Sequence, residues 1–171
     1  MKHTAALTFI KVVLSIPIGL GLAYPFFNPH VSGGILGELK IFGLTGTIVA
    51  MTLFFGLVVL YARDLMRILQ RVSTSSRKAE PKSVWFMLLL PYNFIEDFFI
   101  VSGVARSLEA EAQVNPGLRR FKSFGRISGW GWCIAQIISL IPNELGSAAG
   151  IVAIGCWIWH WVFIRNANRL L

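Results

Sequence analysis

The residues of this 171-residue chain with the most chemical potential sit inside one apolar stretch, Val84 to Leu108. Glu96 and Asp97 are neighbouring carboxylates there, with Asn93 one turn before them and Arg106 nine residues after Asp97. An ionisable side chain among residues apolar enough for lipid is a functional candidate by default, because burying it unpaired costs several kcal/mol. Such a group could hold a proton, a cation or the arginine of a partner. Adjacent helical residues point about 100° apart, however, so these two carboxylates are not expected to converge on one ligand. A plainer role competes: Asn93 caps a helix, Glu96 completes an Asn-x-x-Glu capping box, and both acids favour the helix N-terminus and contact arginines.

Other chemistries find less support. His160 is far in sequence from His3 and His30, which argues against a metal set and for a hydrogen-bonding role near the membrane interface. Cys133 and Cys156 lie in apolar runs with no Cys-x-x-Cys spacing, as inert buried thiols would. Neither a Gly-x-Ser-x-Gly elbow nor a phosphate-binding glycine loop is present. Ser102-Gly103-Val104-Ala105-Arg106 is similar to the start of the CDP-alcohol phosphotransferase motif, but the leading aspartate is missing. Where that family places further aspartates, this chain has Arg119-Arg120-Phe121-Lys122, so the match is set aside. The expectation is a protein with no catalytic residue, cofactor or metal of its own.

The elements that must position these residues are membrane helices. The hydrophobic fraction is 55% and the charged fraction 14%, against roughly 25% charged in a soluble domain. Apolar runs over 7–27, 41–62, 127–142 and 147–164 approach the ~20 residues that cross a ~30 Å hydrocarbon core. The first contains Pro17 and Pro25, and a cleavable signal peptide competes with it because Gly21-Leu22-Ala23 ends in small residues. The second continues as a helix through Arg63, Arg67 and Arg71, a basic segment expected to lie along the membrane surface with its apolar side down. A polar linker, 73–82, ends that unit. The last two runs are separated by the turn-forming Ile141-Pro142-Asn143-Glu144-Leu145-Gly146 and must form a helical hairpin. Gly125-x-x-x-Gly129 and Gly146-x-x-x-Gly150 are expected to permit close helix packing within the chain.

Basic residues choose between two topologies. If 84–108 spans, the sixteen Lys and Arg divide eight to eight across the membrane. If it re-enters or lies in the interface, fifteen fall on the cytoplasmic side and Lys40 alone faces out, as the positive-inside rule requires. The six tryptophans, Trp85, Trp130, Trp132, Trp157, Trp159 and Trp161, fall near the same cytoplasmic ends and suggest an aromatic belt.

The sequence therefore describes one all-α integral membrane domain with four transmembrane helices plus one re-entrant or interfacial helix, five spans being the alternative. Both termini are expected to be cytoplasmic, in the cell (inner) membrane. The net charge of +8 is dispersed between apolar spans, which speaks for anionic lipid and against nucleic acid. The expected function is non-enzymatic: binding of anionic head groups or a partner membrane protein, or a second copy, through Arg63, Arg67, Arg71, Arg119, Arg120 and Lys122. A small transporter or channel with a broken-helix site at Pro91 to Asp97 is the alternative.

Overall fold

A computed structural model of the chain describes residues 2–28 and 34–171, and every described element is helical. Six α-helices follow one another: α1 (Lys2–Phe27), α2 (Gly34–Leu39), α3 (Gly43–Arg71), α4 (Asn93–Glu111), α5 (Arg126–Ile138) and α6 (Glu144–Asn168). Short 3-10 turns occupy Lys40–Phe42, Pro81–Leu88 and Pro116–Leu118. Among the described residues, three helices are long and apolar enough to cross a membrane, within Ala5–Pro25, Gly43–Arg71 and Glu144–Asn168. The chain is thus an all-helical protein with three candidate spans. Part of the expected outward connection, residues 29–33 with His30, lies outside the described residues.

α1 runs without interruption through Pro17 and the Gly21-Leu22-Ala23 segment to Phe27. α3 is one 29-residue helix, about 43 Å long at 1.5 Å per residue. Its first half exposes Leu44, Ile48 and Leu53, while its second half buries Val58, Tyr61, Leu65, Ile68 and Leu69. That buried stripe corrects one expectation: the arginine-bearing end of α3 lays its apolar side against the 81–88 turn, α4 and α6, not against lipid. The stripe repeats every three or four residues, as one helix face does.

The expected span 127–142 is shorter than foreseen. α5 has 13 residues, about 20 Å, against a ~30 Å hydrocarbon core. Its hairpin with α6 is nevertheless formed as the turn residues require. Asn143 accepts a hydrogen bond from the Gly146 amide at 3.0 Å and so caps α6. The glycines pack within the chain: a Cβ on Gly129 would stand 2.3 Å from Val101 Cγ1, and one on Gly146 would stand 1.9 Å from the Ile141 carbonyl oxygen.

Helix directions follow from side-chain pairings. α4 and α5 are antiparallel, with Asp97 bonded to Gln136, Ser102 to Trp130 and Glu109 to Arg126. α3 and α6 are parallel, joined by Tyr61 to His160, Asp64 to Trp161 and Arg71 to the Asn168 carbonyl. The opposite end is tied by the Gly34 amide, which donates to the Asn143 carbonyl and Ser147 Oγ. The polar linker returns to α4 near its C-terminus, where the Lys78 amide donates to Ser107 Oγ and Ser73 donates to Glu111. The 81–88 turn then climbs beside α3 to the Leu90-Pro91 bend, where α4 starts back.

Candidate functional site

α4 carries the carboxylates on two different faces, as the 100° spacing demands. Glu96 meets α1, where Lys11 Nζ lies 2.6 Å from Oε2. Both residues are buried, 8% and 5% exposed, and the ammonium also sits 4.0 Å from the centre of the Phe99 ring. Lys11, counted from sequence among the cytoplasmic charges, is thus buried within the protein. Glu96 was expected to help cap a helix or meet an arginine; its partner is this lysine, 85 residues away.

Asp97 meets α5 instead. Gln136 Nε2 donates to its Oδ2 at 3.1 Å, while Oδ1 is sealed from solvent with no hydrogen-bond partner. α4 lies outside the three candidate spans. Burial pushes the Asp97 carboxyl up to about 8, the Gln136 hydrogen bond opposing that rise and the Glu96 charge adding to it. Asn93 is not the cap proposed from sequence. The N-cap position of α4 is Tyr92, in helical conformation, without a side-chain cap, and Asn93 Oδ1 is a second sealed oxygen without a partner. Arg106 is likewise absent from this site: it is exposed and donates to the carbonyl of Ser102, more than two turns below Asp97.

Between α3, α5 and α6 lies an aromatic chamber. The Tyr61 hydroxyl and His160 Nδ1 share a 2.7 Å hydrogen bond, and both side chains are almost fully buried. Trp132, Trp157 and Trp161 surround Tyr61 with ring centroids 5.6–5.8 Å away. This corrects the aromatic belt. Trp132 and Trp157 are interior residues, Trp161 donates to Asp64 Oδ2 at 2.9 Å, and only Trp130 and Trp159 are exposed. The histidine forms its expected hydrogen bond, within the core.

The basic residues divide into separate groups. Arg67 and Arg71 of α3 meet Arg165 and Arg169 of α6 around one depression floored by Asp64 and Asn168. Asp64 is the single carboxylate there. It receives Arg67 Nη1 at 3.1 Å and Trp161 Nε1 at 2.9 Å, with Arg165 Nε at 3.8 Å. Arg63 is exposed one turn earlier and does not line the depression. Arg119 is occupied in closing α4, donating to the carbonyls of Ala112 and Gln113 at 3.0 Å each. Arg120 lies over the Phe121 ring, and Lys122 is exposed in the same loop. Sequence reasoning missed Lys11, Gln136, Arg165 and Arg169 as site residues. Lys11 carried a signal, a lone cation inside an apolar run; Gln136 and the pairing of α3 with α6 carried none.

At the 73–82 linker, burial acts to raise the Glu111 carboxyl. Hydrogen bonds from Ser73 and Ser76 outweigh it and hold the group below the ordinary glutamate value. Among the described residues no three His, Cys, Asp or Glu side chains gather as a metal set would. Comparison with protein families, curated proteins and solved structures finds no match.

Proposed function

We propose that this chain is a non-enzymatic multi-span protein of the cell membrane that binds anionic lipid head groups at the cytoplasmic ends of α3 and α6. The observation that carries the proposal is the convergence of Arg67, Arg71, Arg165 and Arg169 on one depression with a single carboxylate, Asp64. Formal charge in the depression is +3, four guanidinium groups against one carboxylate. Guanidinium forks match phosphate oxygens in pairs, and a small concave cluster suits one head group better than a broad protein surface.

The orientation belongs to the same proposal. α1, α3, α5 with its following turn, and α6 cross the membrane, both termini are cytoplasmic, and 81–111 re-enters. Several contacts support it. The segment begins near Lys78 and Ser107 and ends near Ser73 and Glu111, so its two ends meet at the same end of the bundle. That end also holds the arginine cluster, as the positive-inside rule prefers.

The test uses purified protein in nanodiscs containing phosphatidylglycerol and phosphatidylcholine, with bound lipid read by native mass spectrometry. Each arginine near an anionic surface contributes about 1 kcal/mol. Replacing all four by alanine is therefore expected to lower phosphatidylglycerol enrichment by more than tenfold, and added salt to lower it in the unaltered protein. Equal enrichment in both proteins would refute the proposal.

A second reading, a small transporter, has one observation in its favour: the unpartnered oxygens of Asn93 and Asp97 beside the Pro91 bend. Glu96, discharged by Lys11, weakens it. Liposome flux that persists in an Asp97→Asn, Glu96→Gln double variant would remove that site assignment.

A further inference from the structure

We infer that Asp97 is a proton-binding residue, held as the neutral acid at neutral pH with its Oδ1–H donated to Asn93 Oδ1 inside the bundle. The inference is independent of lipid binding. It begins from two anomalies on one helix turn. Asp97 is 1% exposed, and its Oδ1 is sealed without a hydrogen-bond partner, as is Asn93 Oδ1. Buried polar atoms are almost always hydrogen-bonded, so two orphan acceptors together require a common explanation.

Both atoms are acceptors, and the residues stand at i and i+4 on α4, where helical side chains are neighbours. A single proton taken from solvent, forming an O–H bond at Asp97 Oδ1, converts one acceptor into a donor and satisfies both. The proton leaves hydronium, whose O–H bond breaks to release water, so charge balances and no oxidant or reductant is needed. A metal cation fits less well, because hard cations take about six oxygen ligands, and the other Asp97 oxygen already faces the Gln136 amide donor.

Among the described residues, the surroundings supply no free positive charge that would keep Asp97 ionised. On its own helix Glu96 is a like charge, already committed to Lys11 of α1. α3 brings the Tyr61 hydroxyl, which is bonded to His160 of α6. α5 brings the Cys133 thiol and Gln136, both uncharged. Lys82, the one charged residue of the 81–88 turn, is exposed. A carboxylate buried without a cation neutralises itself by binding a proton, and the upward shift of this carboxyl agrees.

The composition offers a test that needs no variant, since Asp64 and Asp97 are the only aspartates in the chain. Asp64 is ion-paired with Arg67 and near Arg165, whereas Asp97 has no cation beside it. Protein carrying carboxyl-13C aspartate, in lipid nanodiscs, is compared with unlabelled protein by infrared spectroscopy across a pH series. An isotope-shifted protonated-carboxyl band is expected at pH 7; its absence overturns the inference. The band is expected to vanish in Asp97→Asn and persist in Asp64→Asn, and the reverse pattern also overturns it. Asn93→Ala decides what Asn93 does. If Asn93 accepts the proton, its loss moves the band's midpoint down by about one pH unit. If it donated its amide to a carboxylate, the midpoint would rise, and the inference fails.

Discussion

Replacing Lys11 by methionine removes the cation from a buried pair while keeping the length of the side chain. With Nζ and Oε2 2.6 Å apart, their mutual attraction is about 6 kcal/mol at an effective dielectric constant of ~20. Taking both ions out of water costs several kcal/mol each, so the intact pair is close to neutral for stability. Breaking it is another matter. Lys11→Met leaves Glu96, 5% exposed, as a carboxylate without its cation, at an expected cost of ~3–5 kcal/mol. Glu96→Gln strands Lys11 in the same way. The double variant removes both charges and is expected to recover most of the loss, giving a coupling energy of about 3 kcal/mol in a double-mutant cycle. Reversible unfolding in detergent micelles, followed by tryptophan fluorescence, measures all four corners. Single variants that each cost less than about 1 kcal/mol, or a double variant whose cost is simply additive, would refute the assignment of this pair as the clamp between α1 and α4.

Further predictions concern packing, the buried tyrosine and acid. Gly129→Ala places a methyl 2.3 Å from Val101 and 3.0 Å from His160 and is expected to destabilise by ~1–3 kcal/mol. Gly155→Ala, where nothing lies within 4 Å, is the matched control, and thermal unfolding compares them. Tyr61→Phe strands His160 Nδ1 at a cost of ~1–3 kcal/mol, measurable by the same unfolding assay. Glu111 has a lowered carboxyl, so its stabilising contribution is present above the ordinary glutamate range and lost as pH falls through its depressed value. Hydrogen exchange of the 73–78 linker is expected to accelerate at acid pH in the unaltered protein. In Glu111→Gln the linker should exchange faster already at neutral pH, with a weaker acid response.

Chemical type and order along the chain were enough to mark helices long and apolar enough to cross a membrane. Long apolar runs with few charges require lipid or a helical interior, and the Asn143 cap and surrounding turn residues specify where the final hairpin folds. The separation of Glu96 and Asp97 onto two faces was also legible, because helical geometry is local. Their partners were not. Lys11 and Glu96 are 85 residues apart, Tyr61 and His160 are 99 apart, and nothing local to either residue encodes the distance. The same limit explains the capping error: Asn93 satisfies the spacing rule, yet the chain enters α4 from the Pro91 bend with Tyr92 already helical. Tertiary structure alone decided which tryptophans are core, because hydropathy does not distinguish a side chain facing lipid from one facing protein. It also decided which arginines act together. Two i, i+4 pairs, Arg67 with Arg71 and Arg165 with Arg169, become one cluster only because α3 and α6 run parallel and end together.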